Sequence, residues 1–227
     1  MPPTSDPQEV GAALDQGLQV LGLTLDSMAR QRLLAYLDLI ARWNRVYNLT
    51  AVRDPAQMLS HHLLDSLAAW PPLSRHLHTR GADAGTARIL DVGSGAGLPG
   101  VVLAIVERRW EVTCVDAVAK KAGFIRQAAA ELGLPNLKAV HARVEDLPAD
   151  PPHDLITSRA FASLSDFVTL TSGLLAPSGC WVAMKGRVPQ DEIDSLPPGV
   201  EMFHVEPLAV PGLDAQRCLV WIRRTTR

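Results

Sequence analysis

The chain has 227 residues, 47% of them apolar and 20% charged, enough for one well-filled core with an appendage and too few for two large domains. A formal charge of −2 and an isoelectric point near 6.4 argue against a protein that grips naked nucleic acid through a general basic excess. Any nucleic-acid role then needs a local patch, or a partner surface that supplies affinity. Cys114, Cys180 and Cys218 are scattered, which suits a reducing compartment and supports neither a disulfide framework nor a zinc site.

The opening "MPPTSDPQEV" has no basic or apolar region of a secretory signal. The longest apolar run, "VVLAIV", is too short to cross a bilayer. A cytoplasmic protein without membrane contact is expected, with a monomer as the default state. Residues 1–85 read as a helical extension. "DPQEVGAALDQGLQVLGL" has the caps and spacing of a first amphipathic helix. "LDSMARQRLLAYLDLIARWNRVYNLT" continues with Met28, Leu33, Leu37, Ile40 and Trp43 at helical intervals. "DPAQMLSHHLLDSLAAWPP" predicts a third helix, started by Asp54–Pro55 and stopped by Pro71–Pro72. The polar "HTRGADAGTAR" reads as a linker.

Over residues 86–227 short strands alternate with helices. "RILDV" reads as a buried strand, followed by a helix from Leu98 to Glu107 with Pro99 in its first turn. "EVTCVD" is a second strand, and "VAKKAGFIRQAAAELGL" a long helix ending at Gly133. "LKAVHA", "HDLITSRA" and "CWVAMKG" follow as strands, the last two linked by the helix "LSDFVTLTSGLLA" and a turn at "PSG". "EMFHVEPLAV" and "RCLVWIRR" have no long helix between them, which favours an antiparallel pair. The expectation is an α/β, Rossmann-like fold: a mostly parallel seven-stranded sheet, helices on both faces, and ligands at the carboxyl ends of its strands.

"LDVGSGAGLPG", Leu90 to Gly100, carries two overlapping fingerprints. Gly95 to Gly100 spells the G-x-G-x-x-G of a dinucleotide site, whereas Asp91 to Gly97 spells the D-x-G-x-G-x-G of an S-adenosylmethionine site. Gly93, Gly95 and Gly97 let the backbone turn tightly and approach a ligand, and the next helix start favours an anion. Asp116, at the end of the second strand, is placed to accept ribose hydroxyls, or else to cap the following helix. A ribose is common to both cofactors. Asp91 discriminates, because a carboxylate suits the sulfonium and ammonium of S-adenosylmethionine and repels a pyrophosphate. "ARVEDL" after the third strand brings Glu145 and the backbone of Val144 towards an adenine edge, although Glu145–Asp146 also reads as a helix cap. A single sheet leaves no room for a dehydrogenase's second domain. The methyl donor is the better reading, with S-adenosylhomocysteine as product.

The end of the fourth strand reads "LITSRAFASL". It lacks the (Asp/Asn)-Pro-Pro-(Tyr/Phe) box of exocyclic-amine methylation, and no cysteine sits beside the proline typical of a C5 nucleophile. What remains is a target that is already nucleophilic, such as guanine N7.

"YNLTAVRDPAQMLSHHLLDSLA", "LDVGSGAGLPGVVLAI", "ITSRAFASL", "MKG" and "LDAQRCLVWI" together resemble the bacterial small-subunit ribosomal RNA guanine-N7 methyltransferase family, also called glucose-inhibited division protein B. The resemblance runs from about Asn48 to the C-terminus. It implies methylation of N7 of one guanine, position ~527 in the 530 loop of 16S rRNA, within the small subunit or an assembly intermediate. It also implies that Gly93 and Leu98 line the cofactor loop, that Val144 and Glu145 meet the adenine, and that Arg159 stands at the cofactor-facing end of strand four. Ser94 and Ala96 stand where relatives often have threonine and proline. The stretch holding His61 faces the cleft in the family, making His61 a candidate substrate contact.

Arg159 is suited to a methionine carboxylate or to guanine O6, with a surface ion pair as the plainer role. Lys185 and Arg217 are candidates for RNA phosphate or solvated charges. Asn48 is expected to organise a turn beneath the cleft. His61, His62 and Asp65 share a helix, a spacing that does not make a metal site, and no metal is expected. N7 bears no proton, so direct in-line attack needs no acid, base or covalent intermediate, only alignment and charge stabilisation. Rival readings are a methyltransferase of another RNA, a protein or a small molecule, an NAD-binding oxidoreductase, and a non-catalytic ribosome-assembly factor. Asp91, the loop glycines and Asp116 weigh against the last.

Overall fold

Strand β1 (Arg88–Val92) alternates its side chains between two apolar layers: Ile89 faces one, Leu90 and Val92 the other. That double burial sets β1 in the middle of the sheet. The computed structural model describes residues 7–52, 54–79, 86–159, 161 and 163–225. Among these, β1 to β7 form one sheet in the order β3-β2-β1-β4-β5-β7-β6. Here β2 is Glu111–Asp116, β3 Leu137–His141, β4 His153–Ser158, β5 Leu175–Lys185, β6 Val200–Leu208 and β7 Arg217–Arg224. Pairing is parallel from β3 through β5 and antiparallel at β5–β7 and β6–β7. The fold is the Rossmann-like α/β sheet expected from the alternating pattern, including its antiparallel end.

One face is covered by α5 (Gly100–Val106), α6 (Ala119–Glu131) and the preceding helices α1 (Pro7–Val20) and α2 (Ser27–Tyr47). The other packs on α7 (Leu164–Thr171). Asp26 caps α2, its carboxylate accepting from Ala29 N at 2.6 Å. The buried face of α2 is Ala29, Leu33, Tyr36, Leu37, Leu39, Ile40 and Asn44. Met28, expected on that face, is 51% exposed, because five residues before Leu33 put it about 140° round the helix.

Two other expectations are corrected. Pro71–Pro72 do not stop the third helix. α3 (Pro55–Met58), a π-helical segment (Leu59–Leu64) and α4 (Asp65–Thr79) follow without a break, with both prolines inside α4. The prolines give up donors to the preceding turn, while Pro72, Leu73 and Leu77 are held by burial. The "PSG" turn lies inside β5. Between His153↔Leu175 and Leu155↔Cys180, β4 advances two residues and β5 five, so Pro177 and Ser178 sit exposed in an irregular bulge, where a missing N–H does little harm. A short α8 (Gln190–Asp194) has no counterpart in the sequence reading. Residues 80–85, holding most of the expected linker and the boundary at 85, lie outside the described residues. Among the described residues no helix is long and apolar enough to cross a membrane.

Candidate cofactor and substrate cleft

The carboxyl ends of β1 to β5 lie along one sheet edge, joined by the start of antiparallel β7, where Cys218 pairs with Lys185. This edge gathers the glycine loop, Asp116, Val144, Glu145, Arg159, Lys185 and Arg217.

Gly93, Gly95 and Gly97 have φ of 65°, 61° and 87°, a region that disfavours other residues. Their surroundings differ. A Cβ on Gly93 would meet nothing within 4 Å, and one on Gly95 only Gly93 O at 4.0 Å. On Gly97 it would collide with Val101 and lie 3.2 Å from Tyr36 Oη; on Gly100, with Cys114 Sγ and Asp91 Oδ2. The first two glycines leave an open backbone cradle, and the last two let helix and loop pack closely. Gly93 N and Ser94 N donate to Val115 O at 2.9 and 3.2 Å. Tyr36, fully buried on α2, donates from its hydroxyl to Ala96 O and lies 3.3 Å from Gly97 O. Leu98 has its side chain in the core and its N–H on Ser94 O, so it shapes the loop.

Asp91 is fully buried beneath the loop, not standing in the cleft. Its Oδ2 accepts from Gly100 N at 3.0 Å, while Oδ1 has no partner. Burial, against the Gly100 N–H, pushes its carboxyl up to about 7. Asp116, 6% exposed, accepts from Gly95 N at 2.9 Å and Val118 N at 2.8 Å. It therefore serves as a cap and also ties the loop to β2. Val144 is buried and Glu145 exposed in a 3-10 turn beyond β3.

On the opposite side, Arg159 leaves the tip of β4. Its Nη1 donates to His61 O at 2.8 Å and lies 3.3 Å from Asp65 Oδ2. Arg217 Nε donates to Asp65 Oδ1 at 3.0 Å. Lys185 binds both oxygens of Glu192, at 3.0 and 2.8 Å. A groove of about 710 Å³ at the end of β5, bounded by the loop into α8 and the start of β7, is lined by Lys185, Arg187, Asp191, Glu192 and Arg217 among others. His61 is half-buried and reaches Arg159 through its carbonyl; its ring Nδ1 lies 3.0 Å from Gln57 O. Asn48 ends α2 in a left-handed conformation, φ 49°. Just past it Thr50 N donates to Asn44 Oδ1 at 2.9 Å, and Thr50 Oγ1 meets His62 Nε2 at 3.0 Å. Burial, then the nearby Arg159 charge, lowers His62 to about 4. Among the described residues no group of three or more His, Cys, Asp or Glu is arranged to hold a metal.

Sequence reasoning missed two residues here. Tyr36 had a signal, a polar-tipped aromatic on a buried stripe, whose hydroxyl needs a partner. Asp65 in "LLDSLAAW" had another, a carboxylate on an apolar face that must be paired.

Comparison with known proteins adds a family. The model of "GidB: rRNA small subunit methyltransferase G" matches residues 29–220. A relative from Methylibium petroleiphilum, named ribosomal RNA small subunit methyltransferase G, is 59% identical over 219 residues, covering 96% of each chain. One of the same name from a Polaromonas species is 60% identical over 210 residues, covering 92% of each. Among solved structures, TrmN from Thermus thermophilus aligns with a TM-score of 0.54 at 25% identity, over 74% of this chain and 53% of that one.

Proposed function

The chain belongs to the rRNA small subunit methyltransferase G family, and from that premise we propose that it transfers a methyl group from S-adenosylmethionine to N7 of one guanine in 16S rRNA. The carrying observation is the open backbone at Gly93 and Gly95, set beside Asp116 at the sheet edge where this fold holds ligands. These residues fit the cofactor. Gly93 and Gly95 let its methionine end approach the main chain, and Asp116 has lone pairs left for ribose hydroxyls after accepting two N–H groups. Val144 and Glu145, one strand further out, suit the adenine.

The cofactor supplies a methyl carbon activated on sulfur. Guanine N7 offers a lone pair and no proton, so the protein needs no base and forms no covalent intermediate; its work is alignment and charge stabilisation. Arg159 is the positioning group, its guanidinium suited to guanine O6 or the methionine carboxylate. Lys185, Arg187 and Arg217 outnumber Asp191 and Glu192 along a groove suited to RNA phosphates, the local patch that a chain of charge −2 requires. Asn48 and His61 are further candidate RNA contacts, His61 through its place beside Arg159. In the same reading residues 1–85 are a helical extension on a cofactor-binding unit at 86–227, and a monomer acts in the cytoplasm on the small subunit or its precursor.

The test uses methyl-labelled S-adenosylmethionine and small subunits from cells lacking the enzyme, with naked 16S rRNA and bulk protein alongside. Label recovered as 7-methylguanosine from subunits or their RNA is the expected result. Label on another atom or on protein would overturn the target. Binding of S-adenosylhomocysteine with no label under any of these conditions would favour a non-catalytic assembly role.

A further inference from the structure

In a regular helix the N–H of Asp65 would bond to His61 O. Here it bonds to Ser60 O and His62 O, the signature of the π-turn. His61 O is released and accepts from Arg159. The same turn delivers the Asp65 carboxylate, 2% exposed, between Arg159 and Arg217, whose side chains are 27% and 22% exposed. Each carboxylate oxygen takes one arginine. Buried in this way, the carboxylate is tolerable only while both pairs are kept. Without it the two guanidinium charges would repel each other and separate. With it, two positive charges face one negative, and a single positive charge is left over beside the groove.

We propose that Asp65 is a positioning residue for methyl transfer, joining Arg159 and Arg217 into one unit whose surplus charge meets an RNA phosphate while Arg159 stays aimed at the reacting centre. This rests on the RNA methyltransferase reading above. A phosphate is favoured over the cofactor's carboxylate because Arg217 also lines the Lys185–Arg187 groove, away from the glycine cradle.

Asp65→Asn keeps the shape and one acceptor but removes the charge. In the subunit assay its kcat is expected to fall about 10- to 100-fold, as for a misplaced reacting group, with S-adenosylhomocysteine affinity unchanged by calorimetry. Arg217→Ala is expected to cost little more in the Asp65→Asn background, because the unit is already broken. A lower melting temperature with kcat unchanged, or fully additive losses, would overturn the proposal and leave Asp65 a structural residue. Should the Asn variant fail to fold, Arg217→Lys replaces it. Lysine keeps a phosphate-binding charge but loses the Nε–H that meets Oδ1, so kcat should still drop several-fold; an unchanged kcat would sink the idea. No transfer by the unaltered enzyme would overturn the RNA reading and this inference with it, an outcome distinct from any confined to the variants.

Discussion

Changing Asp91 to asparagine tests how the strand tip is joined to the helix behind it. The carboxylate is fully buried, with Oδ2 on Gly100 N and Oδ1 unpartnered. Burial raises it from 3.8 to about 7. The folded protein thus keeps a proton that the unfolded chain releases near pH 3.8. The stability this supplies is complete below that pH and is lost as pH rises through about 7. The whole span is worth roughly 4 kcal/mol, a large share of the about 5–15 kcal/mol that holds most domains together. Asparagine retains an acceptor for Gly100 without titrating. In urea denaturation between about pH 4 and pH 8, the variant's stability relative to the parent is therefore expected to rise by several kcal/mol. A difference that stays level over that range would refute the burial argument.

Tyr36→Phe removes the hydroxyl that reaches Ala96 O and leaves a buried carbonyl short of a donor. It should cost about 1–3 kcal/mol in denaturation and weaken S-adenosylhomocysteine binding measured by calorimetry. Gly97→Ala combines a φ of 87° with a collision against Val101, so its melting temperature should fall well below that of Gly93→Ala. The latter shares the cost of a positive φ but has open space around it, so it should lose less stability than Gly97→Ala while losing cofactor affinity. Arg159→Ala should cut turnover or cofactor affinity strongly; near-normal activity would remove Arg159 from the site.

The local signals that survived folding were those with one physical solution. Three glycines after a buried strand allowed a tight turn, and they adopt positive φ; the acid ending the next strand was open to a capping role, and Asp116 accepts from Val118 N. The signals that failed depended on distant partners. Pro71–Pro72 read as a stop because local chemistry says so, but Leu73 and Leu77 are buried and carry the helix on. "PSG" read as a turn, yet its neighbours pair with β4 on either side of a bulge. Asp91 read as a cleft residue from its place at a strand tip, and only the packing of α5 shows that it points beneath the loop. The π-turn had no sequence signature at all, and its consequence, a main-chain carbonyl given to Arg159 across 98 residues of chain, exists only in three dimensions.

The helices ahead of the sheet therefore do more than cover it: α2 braces the glycine loop through Tyr36, and the π-turn holds the arginines. His62 lets that coupling be measured. It is 3% exposed, and its lowering from 6.5 to about 4 has burial as first cause and Arg159 as second. Its contribution is present above pH 6.5 and is lost as pH falls towards 4, worth roughly 3 kcal/mol. Over this window His62 and Asp91 have opposite slopes, so in the parent they largely cancel. Asp91→Asn alone should expose the loss on acidification, His62→Gln alone should show a gain, and the double variant should lie between the two. Slopes of the same sign in the two single variants would refute the assignment. Because the charge of Arg159 also lowers Asp91, Arg159→Ala should move both titrations to higher pH in the same experiment. A shift in only one of them would mean that Arg159 does not stand between the π-turn and the strand tip.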